Sequence, residues 1–194
     1  MIYRRLLLLL LPVLTLHCTY TPVVPPLPAT DQTIAVLPPN NRTGDPLLVE
    51  SASFWGDPYA ARPGRVTVPD VLAADARAQL GRRGFKVMPP EAVIAAIGNQ
   101  TPSSPEEAIE LITRGKLDGS VLYIEIRRWE ADMSPLHPQR VLVALDARLI
   151  DTATGHVVWL AHRPVHPVPT PGAITRWAAY TVAARKVAEE LLAP

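Results

Sequence analysis

The sequence predicts an α/β (α+β) domain, with helices packed on a mixed sheet whose C-terminal part is an antiparallel meander. Three observations carry this expectation. Residues 120–132, 140–151 and 156–165 read as consecutive strands, the first two alternating in polarity at a period of two. Residues 68–80 and 171–192 instead repeat their apolar side chains at three- and four-residue steps. Finally, two earlier apolar runs, 33–38 and 85–88, are joined through a helix, the connection that makes parallel neighbours.

The elements follow in order. TIAVLP (33–38) reads as a buried strand stopped by Pro38 and Pro39. PNNRTGDP (39–46) has the residues of a tight turn. Residues 47–68 are irregular and contain Trp55 and Tyr59. In the helix over 68–80, Pro69 suits the first turn and Asp70 the positive dipole end. Arg82 and Arg83 suit the other end, and Leu72, Ala76 and Leu80 share a face. Gly84 stops this helix before the strand FKVM (85–88).

PEAVIAAIG (90–98) is a short apolar helix. SPEEAIELITRG (104–115) has Ser104 and Glu107 spaced as a capping box and closes at Gly115. Strict alternation over 120–132 puts Leu122, Ile124 and Ile126 on one face. It puts Val121, Tyr123, Glu125, Arg127 and Trp129 on the other. DTATG (151–155) is a tight turn between the last two strands. The final helix carries a stripe of Ile174, Trp177, Thr181, Ala184, Val187 and Leu191.

Composition narrows the function. A chain of 194 residues fits one domain plus short extras. With 19 basic and 18 acidic side chains there is no electrostatic footprint for nucleic acid. A single cysteine excludes an intrachain disulfide and a multi-cysteine zinc site. The 22 prolines fall mainly in connecting segments, which they stiffen.

The N-terminus has the parts of an export signal: Arg4 and Arg5, then the apolar stretch Leu6–Leu16, interrupted by Pro12. That stretch is well short of the roughly 20 apolar residues that span a bilayer. With Cys18 two residues beyond it, the segment resembles the precursors of bacterial lipoproteins. The resemblance implies a signal peptide over 1–17 and a covalent lipid on Cys18 as the first mature residue. His17 departs from the pattern, which has a small residue at that place. Residues 18–32 then read as the anchor cysteine and a proline-rich tether reaching on the order of 40 Å, or as a tail without a spacing role. Residues 33–194 are the α/β interaction domain.

No constellation for catalysis is found: no Gly-rich phosphate loop, GxSxG or HExxH. His156, His162 and His166 share strand parity, but the first and last lie roughly 33 Å apart along an extended strand, too far for one ion unless Pro164 and Pro167 bend the chain. No metal site and no cofactor are therefore expected. Asp146 with Arg148, and Glu125 with Arg127, read as charge pairs on a solvated face. Candidate partner-binding residues are Asn40, Asn41 and Arg42 in the turn, Trp55 in the irregular segment, and Trp129 and Trp159 near strand ends. For the two strand tryptophans the alternative is packing under a helix; for the turn it is a connection only.

The series IAVLPPNNRTGDP, RGFKVMPPEAV, GKLDGSVLYIEIRRW and LVALDARLIDTATGHVVW is similar to small envelope lipoproteins with a TolB-N-terminal-like domain. That group includes putative lipoproteins linked to ABC-type transport, penicillin-binding-protein activators and the curli-secretion lipoprotein. The resemblance covers most of residues 33–192 and lies in packing and turn motifs. It implies a non-enzymatic accessory or assembly factor for an envelope transport or secretion complex, acting by protein contact. Its partners would be that complex, the membrane through the lipid, and a second copy in a homo-oligomer. Thr19 after the cysteine favours the outer membrane, with the domain in the periplasm. The alternatives are an activator of a cell-wall synthase and a small-ligand or metal carrier serving a transporter.

Overall fold

A computed structural model describes residues 24–29, 32–49, 66–98, 100–132 and 139–192. The chain forms β1 (Ile34–Val36), β2 (Asn40–Asn41), α1 (Val68–Arg82), α2 (Pro90–Ile97) and α3 (Pro105–Gly115). It continues with β3 (Ser120–Asp132), β4 (Arg140–Asp151), β5 (Val157–Pro169) and α4 (Arg176–Leu191). The sheet order is β1-β3-β4-β5, with β2 also on β3. β1 and β2 run parallel to β3, and β3, β4 and β5 form the antiparallel meander. The predicted fold class is the observed one.

The predicted strand FKVM shrinks to a single parallel bridge, Ile34 with Val87. Ile34 N donates to Lys86 O (2.7 Å) and Met88 N to Ile34 O (2.9 Å), so the two runs are parallel neighbours as expected. On the other side of β1, Ser120 N donates to Thr33 O at 2.9 Å. The approach there needs Gly119: its φ is +98°, and a Cβ would lie 2.3 Å from Thr33 O.

Helices cover both faces of the sheet. On one face, α1 and α4 close a core that includes Leu72, Leu80, Ile124, Leu145, Ala184 and Val187. On the other, α2 and α3 cover Ala35, Val121, Tyr123 and Ile150 with Val93, Ile97, Leu111 and Ile112. α1 starts where Thr67 and Asp70 cap each other: Asp70 N donates to Thr67 Oγ1 (3.4 Å) and Thr67 N to Asp70 Oδ2 (2.9 Å). α3 starts at Ser104, whose Oγ accepts from Glu107 N (3.1 Å). Glu107 bonds the backbone of Ser103 rather than of Ser104, so the predicted box is shifted by one residue.

α4 begins later than periodicity suggests. Thr175 Oγ1 accepts from Ala178 N at 3.1 Å, which fixes the first turn at Arg176. Ile174 therefore precedes the helix and is 85% exposed rather than part of the core stripe. The buried side is mostly small: Ala179, Ala183, Ala184 and Ala188 with Tyr180, Val187 and Leu191.

The packed body also starts earlier than residue 33. Leu27 is buried in the α1–α4 core and Val24 packs against it. Trp159 Nε1 donates to Pro25 O at 2.9 Å. Residues 24–29 are thus a docked strap rather than the free half of a tether. Apolar burial of Leu27, about 2 kcal/mol in a side chain of this type, favours docking, and Pro25, Pro26 and Pro28 lower the cost of ordering the segment.

Candidate functional site

β3 carries one residue too many for its partner. Ile126 pairs with Leu145, but Arg128 pairs with Ala144, so Arg127 is a bulge. Everything after it changes face. Trp129, expected beside Tyr123, lies instead with Ile124 and Ile126 in the α1–α4 core and is 1% exposed. Trp159 is 5% exposed in the same core. Neither tryptophan is a surface contact: both pack beneath helix or strap.

β5 has two irregularities of its own, around Val158 and around Pro164–Val165. They separate the three histidines. His156 sits in the exposed turn, His162 pairs with Asp146, and His166 pairs with Val143 on the α4 side. Among the described residues no group of three His, Cys, Asp or Glu is placed to hold a metal.

The face shared with α2 and α3 is only half covered. α2 packs on β1 and α3 on β3, while Val157 and Leu160 of β5, paired with Ile150 and Arg148, are 46% and 49% exposed. Between covered and open halves lies a charged cluster. The β3–β4 register sets Glu125 directly opposite Asp146, and both carboxylates are buried. Two like charges facing each other across strands repel. They persist because three arginines surround them, with a histidine beside Asp146. Arg127 bridges the pair: its Nε is 3.6 Å from Glu125 Oε1 and its Nη2 pairs with Asp146 Oδ2. Arg42 Nη1 is 3.5 Å from Glu125, Arg148 Nη2 is 3.6 Å from Asp146, and His162 Nδ1 is 2.6 Å from Asp146 Oδ1. These residues do not form the solvated pairs that their spacing suggested.

The turn at residues 40–46 belongs to this cluster. Asn40, opposite Glu125, donates from Nδ2 to Ser103 O (2.9 Å) and to Tyr123 Oη (3.3 Å), and Tyr123 Oη donates to Glu125 Oε2 (3.3 Å). Burial holds the Tyr123 phenol above its ordinary value, with the Glu125 charge adding to it and the Asn40 bond opposing it. Asn41 closes the turn, donating from Nδ2 to Asp45 O (2.7 Å) and accepting from Thr43 N (3.1 Å). The turn holds Arg42 at the rim, where its side chain is exposed. Cys18 and Trp55, the remaining candidates, lie outside the described residues.

Chemically, the cluster presents cations outward over a carboxylate floor. Asp146 orients His162, but it also pairs with two arginines, and among the described residues no hydroxyl or thiol is bonded to His162. Arg148 Nη1 is buried without a partner among those residues.

A second charged group lies on the α4 side. Buried Arg163 donates from Nη2 to Glu190 Oε2 (2.6 Å) and to His166 Nε2 (2.8 Å), while His166 Nδ1 is 3.1 Å from Pro164 O. Accepting at Nε2 and donating at Nδ1 makes His166 neutral. Burial above all keeps its value below the ordinary one; the hydrogen bond to Pro164 O opposes it, and the Arg163 charge adds a smaller lowering effect.

No protein-family model matches the chain, and no curated protein matches it in sequence. Solved structures are similar to it. Lipoprotein GNA1162 from Neisseria meningitidis superposes with a TM-score of 0.50 at 20% identity, over 79% of this chain and 94% of that one. Protein XCC0632 from Xanthomonas campestris gives 0.48 at 16% identity, over 89% and 91%. LpoB of E. coli gives 0.42 at 15% identity, over 71% and 57%. At 20% identity the likeness to GNA1162 is one of fold.

Proposed function

We propose that this chain is a non-catalytic protein of the bacterial cell envelope, anchored by lipid at Cys18. It serves as an accessory or assembly factor for a transport or secretion complex. The observation that carries the reading is the half-open sheet face. Arg42, Arg127 and His162 are exposed there, above carboxylates that are buried, beside exposed Leu160. Such a surface fits a protein partner with carboxylates and an apolar patch. Arginine forks pair with carboxylates in two-point geometry, and the rigid turn keeps the ordering cost low. The export-type N-terminus supports the envelope location, and Thr19 favours the outer membrane. Lipid anchoring would raise the partner's local concentration and make a modest contact sufficient. Among the described residues no helix is long and apolar enough to cross a membrane.

Activation of a cell-wall synthase is a special case of the same contact. The carrier alternative has a cavity of about 280 Å³ beside Lys116, Thr152 and Gln32. That is at the small end for a ligand pocket, about 300–1,000 Å³.

The test is photo-crosslinking of the full chain from position 42 in native membranes. The expected result is one dominant protein adduct that is lost on Arg127→Glu while the fold is retained. Equal adducts with and without the charge reversal would sink the contact. Palmitate labelling that persists in Cys18→Ser would sink the anchor.

A further inference from the structure

We infer that the domain has a membrane-facing pole, the β4–β5 hairpin end, and that the strap at residues 24–29 holds it against the lipid headgroups. This deepens the proposal above and rests on its lipid anchor at Cys18.

Two hydrogen bonds of the N-terminal segment lie at one end of the domain. Pro25 O is bonded to Trp159, and Gln32 Oε1 accepts from Ser120 Oγ at 2.8 Å. Trp159 pairs with Leu149 and Ser120 with Asp151, so both attachments lie at the pole formed by the start of β3 and the β4–β5 turn. The opposite pole, where Asp132, Arg140 and Pro169 align, leads to the exposed Ile174. Along β5 the poles are on the order of 35 Å apart.

Chain length then sets the stand-off. Residues 19–23 separate Cys18 from Val24. However they run, five residues reach at most about 20 Å. A tether free to residue 32 would let the domain tumble; a strap seated on Trp159 and Leu27 does not. The near pole also suits an interface. His156, Val157 and Val158 are exposed together there, the two valines at 46% and 49%, and Lys116 is exposed nearby. Half-exposed aliphatic side chains with a cation match the headgroup boundary of a bilayer. The turn with Arg42 follows the Asn41–Ile126 pairing and points toward the far pole, away from lipid.

The experiment uses the full, lipidated chain in vesicles containing a nitroxide-headgroup lipid. With Cys18 taken by lipid, a thiol dye reports Ala153→Cys at the near pole or Ile174→Cys at the far pole. The dye at position 153 is expected to be quenched several-fold more than the dye at 174. Inserting a long Gly/Ser spacer between residues 23 and 24 leaves the strap seated but frees the stand-off, and should bring the two to equality. Trp159→Phe with Leu27→Ser, releasing the strap, should do the same. Equal or reversed quenching in the unaltered chain on vesicles overturns the polarity and leaves the anchor standing. A chain that does not float with vesicles overturns both.

Discussion

The two faces of the sheet are built on opposite terms. The face under α1 and α4 is closed and apolar, from Leu122 and Ile124 through Trp129 and Val143 to Ala161. The other is apolar only under α2 and α3, then turns into charge at Glu125 and Asp146 and opens at β5. Both bury their floors almost completely. On the first, burial is achieved by helices and is favourable residue by residue. On the second, two carboxylates are covered by the side chains that neutralise them, and each depends on the others. A closed face supplies stability; a half-open one leaves Arg42, Arg127 and His162 exposed.

The comparison can be broken in order of expected effect. Trp129→Ala empties the closed face and should cost about 3–5 kcal/mol in urea unfolding. A loss below about 1 kcal/mol would mean that the bulge does not turn this ring into the core. On the charged face, Arg127→Met leaves Glu125 and Asp146 opposed and should cost about 1–3 kcal/mol, since hydrogen bonds to charged groups are lost. The double change with Glu125→Gln should cost less than the sum of the singles; strict additivity in that cycle would refute the bridging role. Thr67→Ala removes the cap of α1 and should cost about 1 kcal/mol, rescued by Thr67→Ser.

The smallest effect is a pH dependence. Because His166 is held below its ordinary value of 6.5, the unfolded chain takes up a proton that the folded chain refuses. This term leaves stability unchanged above that range and lowers it as pH falls through about 6.5 toward the folded-state value. Stability measured from pH 8 down to 5 should decline less steeply in His166→Gln; an unchanged slope would remove His166 from the account.

Most of the fold was legible because its cues are local. Period and capping residues placed α1, α3 and the three long strands within a few residues; the turn chemistry of 39–46 was legible too, but not that Asn40 and Asn41 within it pair with β3 as β2. The failures share one cause. Ile174 was read into the last helix because periodicity cannot see that Thr175 takes the cap. Trp129 was put on the wrong face, and the histidines on one face, because alternation assumes no bulge. A bulge depends on the partner strand, so nothing in RRWEAD or HRPVHP alone marks its phase. The strap escaped notice for a similar reason: Leu27 among prolines looks like linker until Trp159 supplies its partner.

For the charged cluster the residues were visible and their relation was not. Glu125 with Arg127, and Asp146 with Arg148, are each two apart and look like separate surface pairs. Only the β3–β4 register brings 125 opposite 146 and makes one group of them, with Asn40, Arg42 and His162 delivered by β2 and β5.

By itself, then, the sequence determined most of the secondary structure and the mixed sheet with its meander, and it carries the resemblance to envelope lipoproteins. These follow from nearest-neighbour physics: side-chain period, caps, turn residues and composition. The tertiary structure decided which face each side chain takes beyond a bulge, which charges meet, and which end of the domain receives the chain. Those depend on pairing between segments far apart in sequence, where shifting a strand by one residue exchanges inside for outside.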